Sequence, residues 1–484
     1  MNSGVPSATI AGVPAHSAQF KLRRVLNWFP LGLTYATFYM GRYNFNVVKG
    51  DMGRMFHLDK AQMGIIATAG FWTYALSVIF NGPLADRIGG RRAILLGAVG
   101  AAAVNLAIGL LFLNGWATKL IVGMSLLYSV NMYFQSFGAL SVVKVNAAWF
   151  HVRERGIFGG IFGIMISGGY FLAISFGGWI LAHFPWYAIF LVPSGAIALL
   201  YLVDLVIVRD RPSQAGFRDF NTADASAGDE SPVNLTYIAK MVFTNPILVT
   251  IAAAEFCTGF VRQGLMLYFT EFLHEVHHVN VGTPLFWWGG FGVTLGGVLG
   301  GLLCGWMSDK LFHSRRPPVA FVFYLAQAGS LLLLGYAARP ALATFLIGFC
   351  CMWIFGVHGM LSGTASMDFG GRKAAATAAG MLDGIQYVAA GFTGYWLGWV
   401  LKTYGWDGVP PSAAHQPANG SVWVYCLVPF SLLGAAIMTR VWNARPVPRP
   451  AVHEGPRGHD GPAGPPAVLP SAPRPEPEGE LVGV

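Results

Sequence analysis

Twelve long apolar segments constrain the fold of this chain more than any other feature. A helix needs about 20 apolar residues to cross the hydrocarbon core of a bilayer. Segments of that length lie at approximately residues 25–49, 61–84, 93–113, 118–147, 156–183, 185–208, 245–273, 284–307, 319–336, 340–366, 374–402 and 422–443. Their apolar residues are continuous and do not alternate, which excludes the strands of a membrane barrel. The sequence therefore predicts an all-α integral membrane protein with twelve transmembrane helices.

The composition agrees with a lipid bilayer as the surrounding medium. Charged residues make up 11% of the 484 residues, whereas soluble domains carry about 25%. The net charge of +9 is not concentrated in any tract basic enough to bind nucleic acid, so we expect no nucleic-acid partner. All five cysteines fall inside apolar segments, where they act as small packing residues.

The distribution of basic residues predicts the orientation. If the N-terminus is inside, 22 of the 31 lysines and arginines fall in segments that face the cytoplasm. Cytoplasmic loops of membrane proteins carry such an excess of Lys and Arg. We therefore expect both termini to be cytoplasmic.

Polar segments divide the chain into five parts. Residues 1–24 form a cytoplasmic N-terminal segment, and 25–208 form a six-helix bundle. The polar stretch 209–244 is predicted to be a cytoplasmic linker to a second bundle, residues 245–443. The tail from 444 to 484 is rich in Pro and Gly and is predicted to be disordered.

An internal repeat supports the division into two bundles. Three unlike features recur at offsets of 218 to 223 residues: Arg42 with Arg262, Asp86 with Asp309, and Arg155 with Lys373. A repeat of six helices is typical of transporters whose substrate site lies near the midplane between the two repeats. We therefore expect two pseudo-symmetric six-helix bundles.

Two arginines lie deep inside predicted spans. Arg42 in span one and Arg262 in span seven are far from either membrane surface, and each such burial costs about 2.5 to 3.5 kcal/mol. Helical spacing brings Tyr35, Tyr39 and Asn46 near the face of span one that carries Arg42. These five residues are the predicted substrate-binding residues.

The two arginines suit a doubly charged anion such as phosphate, because paired guanidinium groups match its acceptor geometry. The alternative is that each arginine pairs privately with a carboxylate, and Glu255 lies seven residues before Arg262. Asp383 in span eleven either neutralises an arginine in the empty protein, takes up a coupling proton, or is held by structural hydrogen bonds. Glu255 and Asp383 are therefore candidate coupling residues.

The loop between spans two and three carries a second signal, the sequence GPLADRIGGRR. It resembles the G-x-L-a-D-R-x-G-x-R-R motif of the major facilitator superfamily. Asp86 is predicted to interact with the end of a neighbouring helix and hold the bundles in one conformation, while Arg87 and Arg91 face the anionic leaflet. Asp309 and Lys310 occupy the equivalent loop of the second bundle. A loop that merely follows the positive-inside rule would explain the arginines but not the Asp and glycines.

Residues 20 to 443 resemble the organophosphate:phosphate antiporter family of that superfamily. The stretches that carry the resemblance are YATFYMGRYNF, YFQSFG, WFHVRERG, GFVRQGL, LLCGWMSDKLF and GRKAAATAAG. The resemblance implies a bacterial inner-membrane protein that binds a phosphorylated metabolite through the span-one and span-seven arginines and exchanges it for inorganic phosphate. The chain departs from the family at Val78, where a lysine is usual, and at Ile166, where the glycerol-3-phosphate transporters have a histidine.

Two other functions remain open at this point. Glu255 and Asp383 also fit proton-coupled symport of an anion or a sugar, and some relatives are transporter-like sensors of sugar phosphates. No phosphate-binding Walker loop, zinc-ligand cluster or GxSxG motif occurs, so we expect neither an enzyme nor a cofactor. The protein is expected to act as a monomer.

Overall fold

The computed structural model describes residues 16–115, 120–151, 154–222, 244–313, 315–365, 375–411 and 420–444. These residues form the twelve predicted spans as helices and contain no strand. The helices of the N-terminal half are α1 Ala18–Met55, α2 Lys60–Ile88, α3 Gly90–Leu113, α4 Leu120–Gln135, α5 Phe137–Trp149, α6 Arg155–Phe171, α7 Gly177–His183 and α8 Ala188–Ile207. Those of the C-terminal half are α9 Pro246–Glu275, α10 Pro284–Trp306, α11 Arg316–Gly335, α12 Pro340–His358, α13 Ala375–Tyr404 and α14 Ser421–Thr439.

Spans four, five and ten are not single regular helices, and span ten ends in the π-helical segment Gly359–Ala365. Span four consists of α4 and α5, which are interrupted at Ser136. Span five consists of α6 and α7, joined by the π-helical turn Leu172–Phe176. Hydropathy does not reveal such interruptions, because the residues on both sides are equally apolar.

Among the described helices, eight are long and apolar enough to cross a membrane on those criteria alone. Helices α1, α9 and α13 are not among the eight, and neither are the two short helices of span four, α4 and α5. Helices α1, α9 and α13 carry Arg42, Arg262 and Asp383, respectively, together with other polar residues. Three helices of lower hydropathy therefore contribute residues to the centre of the molecule.

Local sequence signals set several helix starts. Asp59 caps α2 by accepting a hydrogen bond from the Gln62 amide, and the Gln62 side chain accepts one from the Asp59 amide. This reciprocal capping box satisfies two free amide groups at the helix start. Asn245 and Thr283 cap α9 and α10, each followed by a proline in the first turn.

The two halves pack together mainly along α2 with α13, α6 with α10, and α1 with α9. Where α2 crosses α13, a Cβ atom on Gly64 would collide with the carbonyl oxygen of Gly394. Only glycine fits there, because any larger side chain would collide with backbone. We call the end of the bundle that carries residues 56–59, 276–283 and 405–411 the sealed end.

The first part of the predicted linker packs against the N-terminal half. The Arg209 carbonyl accepts hydrogen bonds from the Asn27 side chain and from the Trp149 indole. Residues 223–243 of the linker and residues 1–15 of the N-terminal segment lie outside the described residues. The same is true of the predicted tail from residue 445 onwards.

Candidate functional site

Arg42 lies at the centre of the molecule, where α1 faces both halves. Its guanidinium is 1% exposed and donates to the Tyr387 hydroxyl at 3.2 Å, across the interface between the halves. It also makes long hydrogen bonds, of 3.4 and 3.5 Å, to the backbone carbonyl and side-chain oxygen of Gln135. The rings of Tyr39 and Tyr74 lie within 5.0 Å of its central carbon and provide cation–π contacts.

Arg262 reaches the same point from the C-terminal half. It is 4% exposed and donates to the Gln386 side-chain oxygen at 2.8 Å. Its guanidinium carbon lies 5.5 Å from the centre of the Tyr387 ring. The structure therefore brings both predicted arginines against a single tyrosine, Tyr387 of α13.

Neither arginine has a carboxylate partner within 4.0 Å among the described residues. The buried Nε atom of each guanidinium also has no hydrogen-bond partner there. An arginine offers five donors, and a buried donor left unpaired costs free energy. The private ion pair between Glu255 and Arg262 that the sequence left open is not formed in this structure.

Tyr35 and Tyr39 lie one turn apart on α1, with ring centres 5.5 Å apart. Tyr39 also contacts Tyr170 of α6, at 4.9 Å between ring centres. Asn46 lies one turn from Arg42 towards the sealed end, and its amide donates to the Met266 carbonyl of α9. Tyr35 and Tyr39 therefore flank Arg42, whereas Asn46 joins the two halves.

The predicted coupling acids, Glu255 and Asp383, lie in the C-terminal half near Arg262. Glu255 is fully buried, and its carboxylate lies 3.6 Å from the ring nitrogen Nδ1 of His358. Asp383 is partly exposed and acts electrostatically on both arginines. The Gln386 side chain lies between His358 and Arg262. Gln386 is not among the predicted site residues, because burial of an uncharged amide inside a helix bundle costs much less free energy than burial of a charge.

The residues of the GPLADRIGGRR motif contact their own half. Asp86 pairs with Lys144 of α5 at 2.6 Å, and both side chains are about half exposed. The Arg91 side chain donates to the Leu205 carbonyl of α8 at 2.6 Å. Arg87 is exposed. In this conformation the motif holds the ends of α2, α3, α5 and α8 together.

The equivalent residues of the second half lie on a π-helical turn, Met307–Leu311. Lys310 is exposed there. The side chain of Asp309 lies outside the described part of the structure.

A partly buried charge cluster at the sealed end is not among the sequence predictions. Lys49 of α1 pairs with Glu271 of α9 at 3.0 Å, and Lys60 of α2 pairs with Glu275 of α9 at 2.7 Å. Lys60 also lies 3.7 Å from Glu271, and the Trp406 indole donates to Glu275 at 2.8 Å. The cluster joins α1 and α2 of one half to α9 of the other. Both lysines lie near span ends, where they resemble ordinary loop residues, so their sequence positions do not predict the cluster.

A buried acid in span six is likewise absent from the sequence predictions. Asp204 of α8 is fully buried and accepts a hydrogen bond from the Thr34 hydroxyl at 2.8 Å. An acidic residue inside an apolar helix can be recognised from the sequence. The hydrogen bond between Thr34 and Asp204 lies wholly within the N-terminal half.

Comparisons with known proteins agree with this architecture. The sequence profile of the Major Facilitator Superfamily matches residues 31–395. The membrane sensor protein UhpC of Escherichia coli (strain K12) is 28% identical over 395 residues, covering 78% of this chain and 85% of that protein. The glycerol-3-phosphate transporter of Bacillus subtilis (strain 168) is 27% identical over 410 residues, covering 81% of this chain and 89% of that transporter.

Among solved structures, a mutant of the nucleoside transporter NupG superposes with a TM-score of 0.64 at 13% identity. The match covers 87% of this chain and all of that one. At this identity the likeness concerns the fold, and it agrees with the two-bundle arrangement of twelve spans.

Proposed function

The chain belongs to the Major Facilitator Superfamily, and from that premise we propose that it exchanges an organic phosphate ester for inorganic phosphate across a membrane by alternating access. The observation that carries this proposal is the central pair of arginines. Arg42 and Arg262 come from different halves, contact the same tyrosine, and have no carboxylate within ion-pair distance among the described residues.

A phosphate group matches the unused capacity of these arginines. It is a dianion or monoanion near neutral pH, and its oxygens accept forked hydrogen bonds from guanidinium groups. In a protein without bound anion, the two guanidinium groups must stay buried without a counter-charge while the halves reorient, which costs free energy. This cost favours reorientation with an anion bound, which is the physical basis of obligatory exchange.

The relatives support the class of substrate. The Bacillus subtilis relative is named as a glycerol-3-phosphate transporter. The sealed end would face the periplasm if both termini are cytoplasmic. Residues 25–208 and 245–443 would be the two bundles that rock against each other, and a single chain would suffice.

The test uses the purified full chain in proteoliposomes. Vesicles loaded with inorganic phosphate are expected to exchange it for external labelled phosphate, and a panel of phosphate esters should compete. Vesicles without internal phosphate should show almost no uptake. Uptake that needs no internal anion, and that follows an imposed pH gradient instead, would contradict the exchange mechanism.

A second candidate function is sensing of a phosphorylated metabolite. The observation that favours it is the similarity to the membrane sensor protein UhpC. A sensor would bind phosphate esters through the same arginines but would show no measurable flux in the same vesicles. Binding and flux measured on one preparation therefore separate the two functions.

A further inference from the structure

Four side chains form a continuous polar chain behind the central site. Arg262 of α9 donates to the side-chain oxygen of Gln386 at 2.8 Å. The side-chain nitrogen of Gln386 lies 2.8 Å from Nδ1 of His358 on α12. The same Nδ1 atom lies 3.6 Å from the carboxylate of Glu255, which is also on α9. The chain thus begins at a predicted substrate arginine and ends at a buried acid.

Chemistry fixes the direction of these hydrogen bonds. A guanidinium has only donors, so the Gln386 atom that faces Arg262 must be its oxygen. The Gln386 amide nitrogen therefore faces His358 and donates, which requires Nδ1 to be an acceptor without a proton. In this structure His358 is therefore the neutral ring with its proton on Nε2.

Protonation of Nδ1 would change both contacts of that atom. A proton there repels the Gln386 amide group and attracts the Glu255 carboxylate, so Nδ1 cannot serve both neighbours at once. Gln386 would then lose its anchor on His358 and release the Arg262 donor that it occupies. A positive charge would also be added beside the anion site.

We propose that His358 is a proton-binding residue, and that a proton on its ring strengthens anion binding at Arg262 by releasing Gln386. This inference rests on the proposed function, in which Arg262 binds the phosphate group. Gln386 and His358 are positioning residues, since they act through Arg262. By reciprocity, a bound anion increases the affinity of His358 for the proton, so the site takes up the two together.

The charged and titratable groups that act on this cluster from the described parts of the neighbouring helices are Glu255, Cys257 and Arg262 of α9, Tyr324 of α11 and Asp383 of α13. The Glu255 carboxylate, 3.6 Å away, favours a proton on Nδ1, whereas burial of the ring and the Arg262 guanidinium oppose it. Arg262 opposes it until an anion neutralises the guanidinium, which links the proton to the anion.

The experiment measures the dissociation constant of inorganic phosphate for the purified full chain in nanodiscs, between pH 5.5 and pH 8.5. The key variant is His358→Asn, because Asn keeps an acceptor near the Nδ1 position and does not bind a proton. The variant also corrects for the titration of phosphate itself. The two proteins are expected to bind phosphate equally at alkaline pH, and the wild type to bind about tenfold more tightly at the acid end, within the usual range of coupling between two sites.

A second variant, Glu255→Gln, removes the carboxylate that attracts the proton. It is expected to move the acid enhancement of the wild type to lower pH. This variant decides the matter if His358→Asn does not fold. An unchanged pH profile in Glu255→Gln, or a His358→Asn profile that parallels the wild type at every pH, overturns the inference. If the wild type binds no phosphate at any pH, the proposed function falls first and this inference with it.

Discussion

Buried cations occur in two regions of this molecule, and the two regions compensate them differently. At the sealed end, Lys49 and Lys60 pair with Glu271 and Glu275 of the opposite half, at 3.0 and 2.7 Å. At the centre, Arg42 and Arg262 contact tyrosine and glutamine side chains, and no carboxylate of the described residues lies within ion-pair distance. Both regions join the two halves, yet among the described residues only the cations of the sealed end have carboxylates within ion-pair distance.

Under the proposed function, this difference separates a contact that closes the sealed end from a site that receives an anion. A buried cation that has a carboxylate of the opposite half at ion-pair distance favours the conformation in which the halves meet. A buried cation without such a carboxylate would gain from an anion that arrives from outside. The choice of residue agrees, since Arg offers a fork for phosphate and Lys offers a point charge.

The largest effect on phosphate exchange is expected from Arg262→Lys, and Arg42→Lys should have a similar effect. Lysine keeps the charge but loses the fork, so phosphate exchange should fall by at least about 100-fold, the cost of two charged hydrogen bonds. The measurement is exchange in phosphate-loaded vesicles at matched protein density. The matched control is Lys60→Arg at the sealed end, which is expected to keep most of the activity. Full exchange by either lysine variant would refute the assigned site.

The second largest effect, on the conformation of the sealed end, is expected from Glu271→Gln. The change leaves Lys49 buried without its carboxylate, and breaking such a pair costs about 3 kcal/mol. The protein escapes this cost by opening the sealed end to water. Spin labels at Met55 and Tyr404, which are exposed on opposite halves, should therefore report a longer distance.

The control for Glu271→Gln is the double variant Lys49→Met/Glu271→Met, which removes both charges. Replacement of a buried pair by apolar side chains is often neutral, so the label distance should return towards that of the wild type. If the single and double variants open the sealed end equally, the cluster acts through packing and not through charge.

Hydropathy predicts most of this fold, because lipid leaves a chain few alternatives to continuous apolar helices. The cost of burying Arg42 and Arg262 likewise marks them from sequence, and the repeat offset predicts that they meet. The Lys49 and Glu271 pair has no such signal. Its members are 222 residues apart, and Lys49 lies where a loop residue is expected. Pairing between the halves follows from the crossing of α1 with α9, which no local pattern encodes.

Gln386 and Tyr387 illustrate the same limit at the central site. Both lie on the turn next to Asp383, but neither carries a charge, so the sequence assigns neither of them to the binding site. Their importance arises only from position, since α13 crosses α2 and brings Tyr387 between the two arginines. Asp86 is a different case, because its motif is recognisable but its partner Lys144 is not predictable from the loop sequence.

A modest effect is expected for the Asp86 and Lys144 pair. Both side chains are about half exposed, so removal of the pair should change the free energy of unfolding by no more than about 1 kcal/mol. Asp86→Asn and Lys144→Met both remove it. If Asp86 controls the conformational change, Asp86→Asn should slow exchange more than Lys144→Met does, at equal thermal stability. Equal rates would limit the role of Asp86 to the ion pair.

The smallest effect is expected at the rim of the sealed end, where Lys402 donates to Asp59 across the halves at 2.8 Å. Burial opposes ionisation of Asp59, but hydrogen bonds from Lys402 and the Gln62 amide outweigh it and hold the pKa of Asp59 below its usual value. A lowered pKa means that the carboxylate stabilises the fold at a pH above its pKa in the unfolded chain, about 3.9. This contribution is lost as the pH falls through the pKa of the folded protein.

Asp59→Asn keeps the helix cap and removes the charge. Its thermal midpoint should lie slightly below that of the wild type at pH 7, and the two midpoints should converge as the pH falls below the lowered pKa of Asp59. A difference that persists unchanged in acid would mean that the variant disturbs the cap and not the ion pair.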